Sequence, residues 1–325
     1  LATRWEWVLL ASALGAMTRS LVGPSFDAFI ADHSAPENRA RLFGITQTLF
    51  GVVGVLGPAL GGYLVEETSF KGMLAVAAAL YLAATVIRVG MAREASKSQA
   101  AAPAPLTFAN LKTNLGAMIG LVLAGGLFTW IMITDGIRDI FFNMSFSFLS
   151  VYMQDIASLS VSQIGIMSSV FGIAMMAVMI PAGWLADKKG ERVNIAISFF
   201  FMAISIGMIA TVPPASPAWV YGLGWVIAGT GVGLATPAYQ SLISKAVPQR
   251  LRGVAFGLFS TSLGLVSLPA PLIGGFLWEN VSPQFPFLLT AIASLLAIIP
   301  AWFKFKVSGD MPDIGPAAET AGKTD

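Results

Sequence analysis

The sequence contains no cysteine and one histidine. Disulfides and thiolate metal sites are therefore excluded outright, and His33, in a polar connection, is read as inert. Charge is scarce too: Asp, Glu, Lys and Arg together make up 11% of the chain, against roughly 25% in soluble domains. No phosphate-binding glycine loop, catalytic triad or metal-ligand cluster is recognisable, so neither enzymatic chemistry nor a cofactor is expected. The net charge of +2 is too small and too dispersed to suggest nucleic acid.

What fills the chain instead is apolar surface, at a mean hydropathy of +0.76. That is far more than one water-soluble core can bury. Runs of about 20 apolar residues, long enough to cross ~30 Å of hydrocarbon, fall near 7–30, 42–65, 72–92, 126–152, 163–186, 194–213, 218–246, 254–278 and 285–304. The first has neither a basic n-region nor a small-residue cleavage site, so it reads as a retained helix. The expectation is an all-α integral membrane protein.

Basic residues orient these crossings, because cytoplasmic loops retain Lys and Arg. Arg39 and Arg41 follow the first run, and Arg88, Arg93, Lys97 and Lys112 the third. Lys188, Lys189 and Arg192 follow the fifth, Lys245, Arg250 and Arg252 the seventh, and Lys304 and Lys306 the ninth. The alternate loops are acidic or neutral. The central linker and the C-terminus are thus expected in the cytoplasm, with the chain multi-pass in the cell membrane.

A helix through 114–156 would run about 65 Å, twice the hydrocarbon core. Two crossings there would put Lys188, Lys189 and Arg192 outside. One crossing from about Gly126 is preferred, with 114–125 at the interface.

Residues 24–66 reappear without a gap at 237–279, an offset of 213. Pro24 meets Pro237, Arg39 meets Arg252, Phe43-Gly44 meets Phe256-Gly257, Pro58 meets Pro271, and Gly61-Gly62 meets Gly274-Gly275. Two copies running the same way in an apolar chain suggest a transporter built from two halves about an axis normal to the membrane. Three crossings before residue 214 lack first-half counterparts. The sequence is therefore expected to lack roughly 90 residues and three helices of a twelve-helix protein. The predicted organisation is 1–92 as the rest of a first bundle, 93–125 as a cytoplasmic linker, 126–304 as a complete six-helix bundle and 305–325 as a tail.

Gly183-Trp184-Leu185-Ala186-Asp187-Lys188-Lys189-Gly190-Glu191-Arg192 resembles the signature loop between the second and third helix of each half in the major facilitator superfamily. The resemblance implies two pseudo-symmetric helical bundles, the first lacking three helices. It also implies alternating access, with Asp187 facing a helix N-terminus near Phe43-Gly44 and Arg39, Arg41 and Arg252 at contacts between the halves. A solvated turn is the plainer reading of the same residues. A second stretch, Gly44 with Gly57-Pro58-Ala59-Leu60-Gly61-Gly62, is similar to the fifth-helix motif of superfamily exporters, with Val53 where the pattern has glycine. Ordinary close packing of small residues explains it equally well. Arg19-Ser20-Leu21-Val22-Gly23 resembles the fourth-helix pattern of proton-coupled exporters, with Val22 in place of glutamine.

Charges inside spans are costly and usually functional. Arg19 lies midway along its run and Asp27 about two turns on. Asp135, Arg138, Asp139 and Asn143 form one stripe at i, i+3, i+4 and i+8, with Asp135 about 14 Å into the membrane for a start near Gly126. They form either a proton-binding site with a spare carboxylate or a neutral pair that orders the helix. Gln240, at the repeat position of Asp27, and neighbouring Tyr239 are candidate cavity residues.

The expected function is secondary transport of a small solute by a monomer in the lipid bilayer, coupled to protons, with efflux antiport favoured. An importer of organic acids or sugars is the alternative within the fold. A non-transporting receptor or scaffold is the alternative outside it, and the intramembrane charges weigh against that.

Overall fold

The computed structural model describes residues 6–7, 9–18, 22, 36–97, 116, 119–120, 122–123, 125–214, 216–247, 255–256, 258–259, 264 and 266–306, with backbone only at 36–44, 47, 92 and 94–97. The described residues are helical, without strands. They divide into two compact units, Leu1–Ala104 and Pro105–Asp325.

The first unit contains α1 (Leu9–Thr18), α2 (Pro36–Glu67) and α3 (Phe70–Lys97). α2 begins earlier than the hydropathy suggests, so Arg39 and Arg41 stand on its first turns and not in a loop. The cause is Pro36, whose fixed φ suits a first helical position. At the α2–α3 corner the Ser69 hydroxyl accepts the Gly72 N–H at 3.0 Å and caps α3. α3 runs on through Lys97, so the first residues of the expected linker are helical. Apolar side chains cover the surface of this pair, with Val86 72% exposed. Such a surface suits lipid or neighbouring helices and not water.

The second unit comprises α4 (Leu127–Val151), α5 (Val161–Lys189), α6 (Glu191–Thr211), α7 (Ala218–Ala246), α8 (Ala270–Asn280) and α9 (Phe285–Lys304). α4 closes in a π-turn over Tyr152–Ile156. α5 starts at a capping box, Ser160 with Gln163. The run expected to cross as one helix from 254 to 278 is broken by a turn at Ser267–Pro269, after which α8 begins. Pro269 and Pro271 lack the N–H groups that a continuous helix would need.

Helix direction alternates. Lys304 at the end of α9 lies over the Trp130 ring at the start of α4, and Glu191 at the start of α6 bonds Lys245 at the end of α7. This basic end holds one cluster of buried side chains, including Phe128, Ile131, Ile195, Phe199, Leu242 and Phe305. The opposite end holds another, including Tyr152, Met153, Ile206, Ile209, Tyr221 and Phe287.

α7 packs between α5 and α6, α9 between α6 and α4, and α8 against α4. The approach of α7 to α5 depends on small residues. A Cβ at Gly233 would stand 2.5 Å from the Met175 carbonyl oxygen, and one at Gly229 would strike the Phe171 carbonyl. This is the close backbone contact that a small-xxx-small spacing permits in membranes.

Among the described residues, six helices are long and apolar enough to cross a membrane: the apolar stretches of α2 and α3, then α5, α6, α7 and α9. α1 and α8 are shorter, and α4 has the length but carries Asp135, Arg138 and Asp139.

Candidate functional site

α4 brings its charges to one side between the two buried clusters. Arg138 Nε donates to Asp135 Oδ1 at 3.1 Å, one helical turn away, with the Asp135 side chain 0% and the Arg138 side chain 21% exposed. The guanidinium also lies 5.4 Å from the centre of the Phe199 ring on α6, a cation–π contact strengthened by exclusion of water. One turn further, Asn143 Nδ2 donates to Asp139 Oδ2 at 3.0 Å and to the Asp139 carbonyl at 2.9 Å. The stripe read from the sequence is thus two local pairs, Asp135 with Arg138 and Asp139 with Asn143.

Two cavities meet at this stripe. The one toward the basic end, about 400 Å³, is bounded by Phe199, Ala235, Tyr239, Gln240, Ile243 and Phe256. The one toward the opposite end, about 570 Å³, is bounded by Asp139, Phe142, Phe146, Phe171, Ile209 and Trp225. Arg138, Met202 and Val232 belong to both walls. Val232 is the repeat partner of Arg19.

The signature segment is not a loop. α5 extends through Asp187, Lys188 and Lys189, and Gly190 alone turns the chain into α6. Its φ of +88° and ψ of 150° lie in a region open essentially only to glycine. Asp187 and Lys188 are exposed, and Gly183 and Leu185 are half-buried on the last turns of α5. Arg192 sits 5.1 Å from the Trp302 ring centre on α9.

Glu191, which the sequence reading passed over, is the buried anchor of the segment. It accepts from Ser241 Oγ at 2.7 Å and from Lys245 Nζ. Asn194 Nδ2 adds a bond to the Ala182 carbonyl at 2.6 Å.

Gly57, Pro58, Gly61 and Gly62 lie on α2, and Gly44 lies on its backbone-only portion. Among the described residues nothing stands within 4 Å of a Cβ built at Gly57 or Gly61. The copy differs: a Cβ at Gly274 would strike the Met144 carbonyl. The repeat therefore preserves the glycine, while the close approach is seen at the second copy. Arg19, Asp27 and Arg252 lie outside the described residues, as do the side chains of Arg39 and Arg41.

Sequence reasoning also missed Phe171, Phe199 and Trp225, which look like any other apolar helix residues. Glu191 carried no local signal, since its partner Lys245 is 54 positions away.

These features define an all-helical, multi-pass membrane protein with polar groups held between bundled helices. The Major Facilitator Superfamily pattern matches residues 1–268 and, overlapping, 131–323. The chain belongs to that superfamily, a family of transporters and not of enzymes.

It is similar to the class C tetracycline resistance protein of Escherichia coli, at 26% identity over 82% of this chain and 65% of that protein. It is 31% identical to the quinolone resistance protein NorA of Staphylococcus aureus over 46% of this chain and 38% of that protein. An uncharacterized MFS-type transporter of Methanocaldococcus jannaschii, MJ1317, is 25% identical over 92% of this chain and 71% of its own length. The chain thus spans less than two thirds of the tetracycline and quinolone resistance proteins.

Proposed function

We propose that the protein is a proton-coupled secondary transporter that moves small amphipathic solutes out of the cell by alternating access. The observation that carries this reading is the buried Asp135–Arg138 pair, with Asp139 beside it, where two cavities adjoin. Burying charge inside a membrane costs several kcal/mol, and such residues usually pair or face a cavity and mark a functional site.

The wider cavity supports the solute class. Phe142, Phe146, Phe171 and Trp225 offer flat apolar faces, and Asp139 and Arg138 offer one polar edge. A sugar would need many free hydrogen-bonding groups, and two of the serines in this wall, Ser168 and Ser205, already donate to backbone carbonyls. The relatives named for tetracycline and quinolone resistance favour the outward direction. Asp135 and Asp139 would exchange protons, and the basic helix ends, linker and C-terminus would lie in the cytoplasm. The Asp187 turn would belong to the cytoplasmic gate.

The test is transport by the full-length protein in proteoliposomes, with a panel of amphipathic compounds and an imposed pH gradient. Replacing Asp135 and Asp139 together by Asn should abolish gradient-driven accumulation while solute exchange persists. Unchanged accumulation would overturn the coupling.

A further inference from the structure

α4 and α9 run antiparallel, and between them lies a groove of about 310 Å³. Buried Thr134 and Ala297 form its floor, and exposed Ile133, Ile137, Ile292 and Leu296 form its rims. It spans the same 11 positions on each helix, 130 to 141 and 289 to 300. At 1.5 Å per residue that is about 16 Å, one leaflet of a hydrocarbon core ~30 Å thick. At the deep end Thr290 donates to the Phe141 carbonyl at 2.5 Å and ties the helices together. Arg138 borders the groove near that end, with its guanidinium turned to Asp135 and Phe199. Spread over its length, the volume gives a mean section of about 20 Å². A helix about 10 Å across needs roughly 80 Å², so the shape fits one extended hydrocarbon chain and not a further helix.

The other end of the groove is positive. Lys304 Nζ stands 4.8 Å from the centre of the Trp130 ring, and exposed Lys306 follows it. α4 begins here with no side-chain cap, so the partly positive end of its dipole lies at the same level. No acidic residue occurs on α9, or on α4 before Asp135. A phosphate beside Trp130 would therefore meet cations and no carboxylate of these two helices. Tryptophan itself favours the headgroup level of a bilayer.

We infer that the α4–α9 groove is a binding site for an anionic glycerophospholipid. One acyl chain lies in the slot from Trp130 to Phe141, and the headgroup phosphate sits at Lys304 and the start of α4. The slot selects the chain by its section and length, and the lysines select the charge. The site stands apart from the proton-coupled reading above, since it needs neither a solute nor a proton.

Trp130 is the reporter for the test. The purified full-length protein is placed in bilayers containing brominated phosphatidylglycerol or brominated phosphatidylcholine, and quenching of the fluorescence that Trp130→Phe removes is compared. Phosphatidylglycerol should quench this component at a lower mole fraction than phosphatidylcholine. Lys304→Gln should cut that preference about 5-fold. Ala293→Phe, which fills the slot and leaves both lysines in place, should abolish it. Lys304→Gln alters only an exposed side chain, so it keeps the test open should the filled variant not fold. Equal quenching by the two lipids overturns the site and leaves ordinary boundary lipid. A preference that survives unchanged in either variant overturns it as well. Failure of both lipids to quench, with two copies per particle by sedimentation, would assign the groove to a second copy of this chain.

Discussion

Asp135 and Arg138 close their ion pair within a single turn of α4, while the Phe199 ring of the neighbouring α6 covers the guanidinium. One partner is fully buried and the other partly exposed, so the two halves of the pair are unequal in their dependence on each other.

Removing the arginine should therefore cost more than removing the acid. Arg138→Ala leaves an uncompensated buried carboxylate and should destabilise the protein by about 3–5 kcal/mol. Asp135→Asn, which keeps shape and leaves Arg138 its access to the cavities, should cost less. Thermal unfolding in detergent of both variants, and of the Asp135→Leu/Arg138→Leu pair, checks the ordering. A double variant less stable than Arg138→Ala would contradict it.

Gly190 should tolerate no side chain. Its φ of +88° with ψ of 150° is strained for any other residue, at about 1–3 kcal/mol. Nothing stands within 4 Å of its Cβ position among the described residues, so the loss is conformational and not steric. Gly190→Ala should lower the unfolding temperature, with Gly190→Asn giving no relief.

Gly233 is constrained by the opposite cause. A methyl there meets the Met175 carbonyl oxygen at 2.5 Å, so α7 and α5 must separate. Gly233→Ala should cost about 1–3 kcal/mol. Gly222, with no atom within 4 Å of its Cβ position among the described residues, is the control. Gly222→Ala should be close to neutral in the same melting experiment.

The bond between Glu191 and Lys245 should depend mainly on the acid. Glu191 is buried and also holds Ser241, whereas the Lys245 side chain is 49% exposed. Glu191→Ala should lose about 1.5–3 kcal/mol, and Lys245→Ala less, because water can replace the ammonium. A double-mutant cycle measured by chemical unfolding isolates their coupling. No measurable coupling would remove this fastening of α6 to α7.

The membrane spans were legible because they follow from local composition. α7 begins and ends at 218 and 246 as its apolar run does, and α9 likewise at 285 and 304. Helix ends set by proline or glycine were harder to read. Pro36 draws Arg39 and Arg41 into α2, Pro269 and Pro271 break the run before α8, and α5 continues to Gly190. Hydropathy has no term for a missing N–H or a positive φ.

The i to i+8 spacing of Asp135, Arg138, Asp139 and Asn143 was visible for the same local reason, since a single helix aligns it. Their division into two pairs depends on rotamers chosen against neighbouring helices.

By itself the sequence determined that the chain is helical, apolar and repeated, and which residues place charge inside a span. Backbone hydrogen bonds in lipid must be satisfied within each segment, so one-dimensional composition suffices for that much. Tertiary structure alone decided that Phe199 covers Arg138, that Glu191 reaches Lys245, and that Arg138 belongs to the walls of two cavities. Those relations join helices separated by tens of residues, and they arise from packing whose geometry no local pattern encodes.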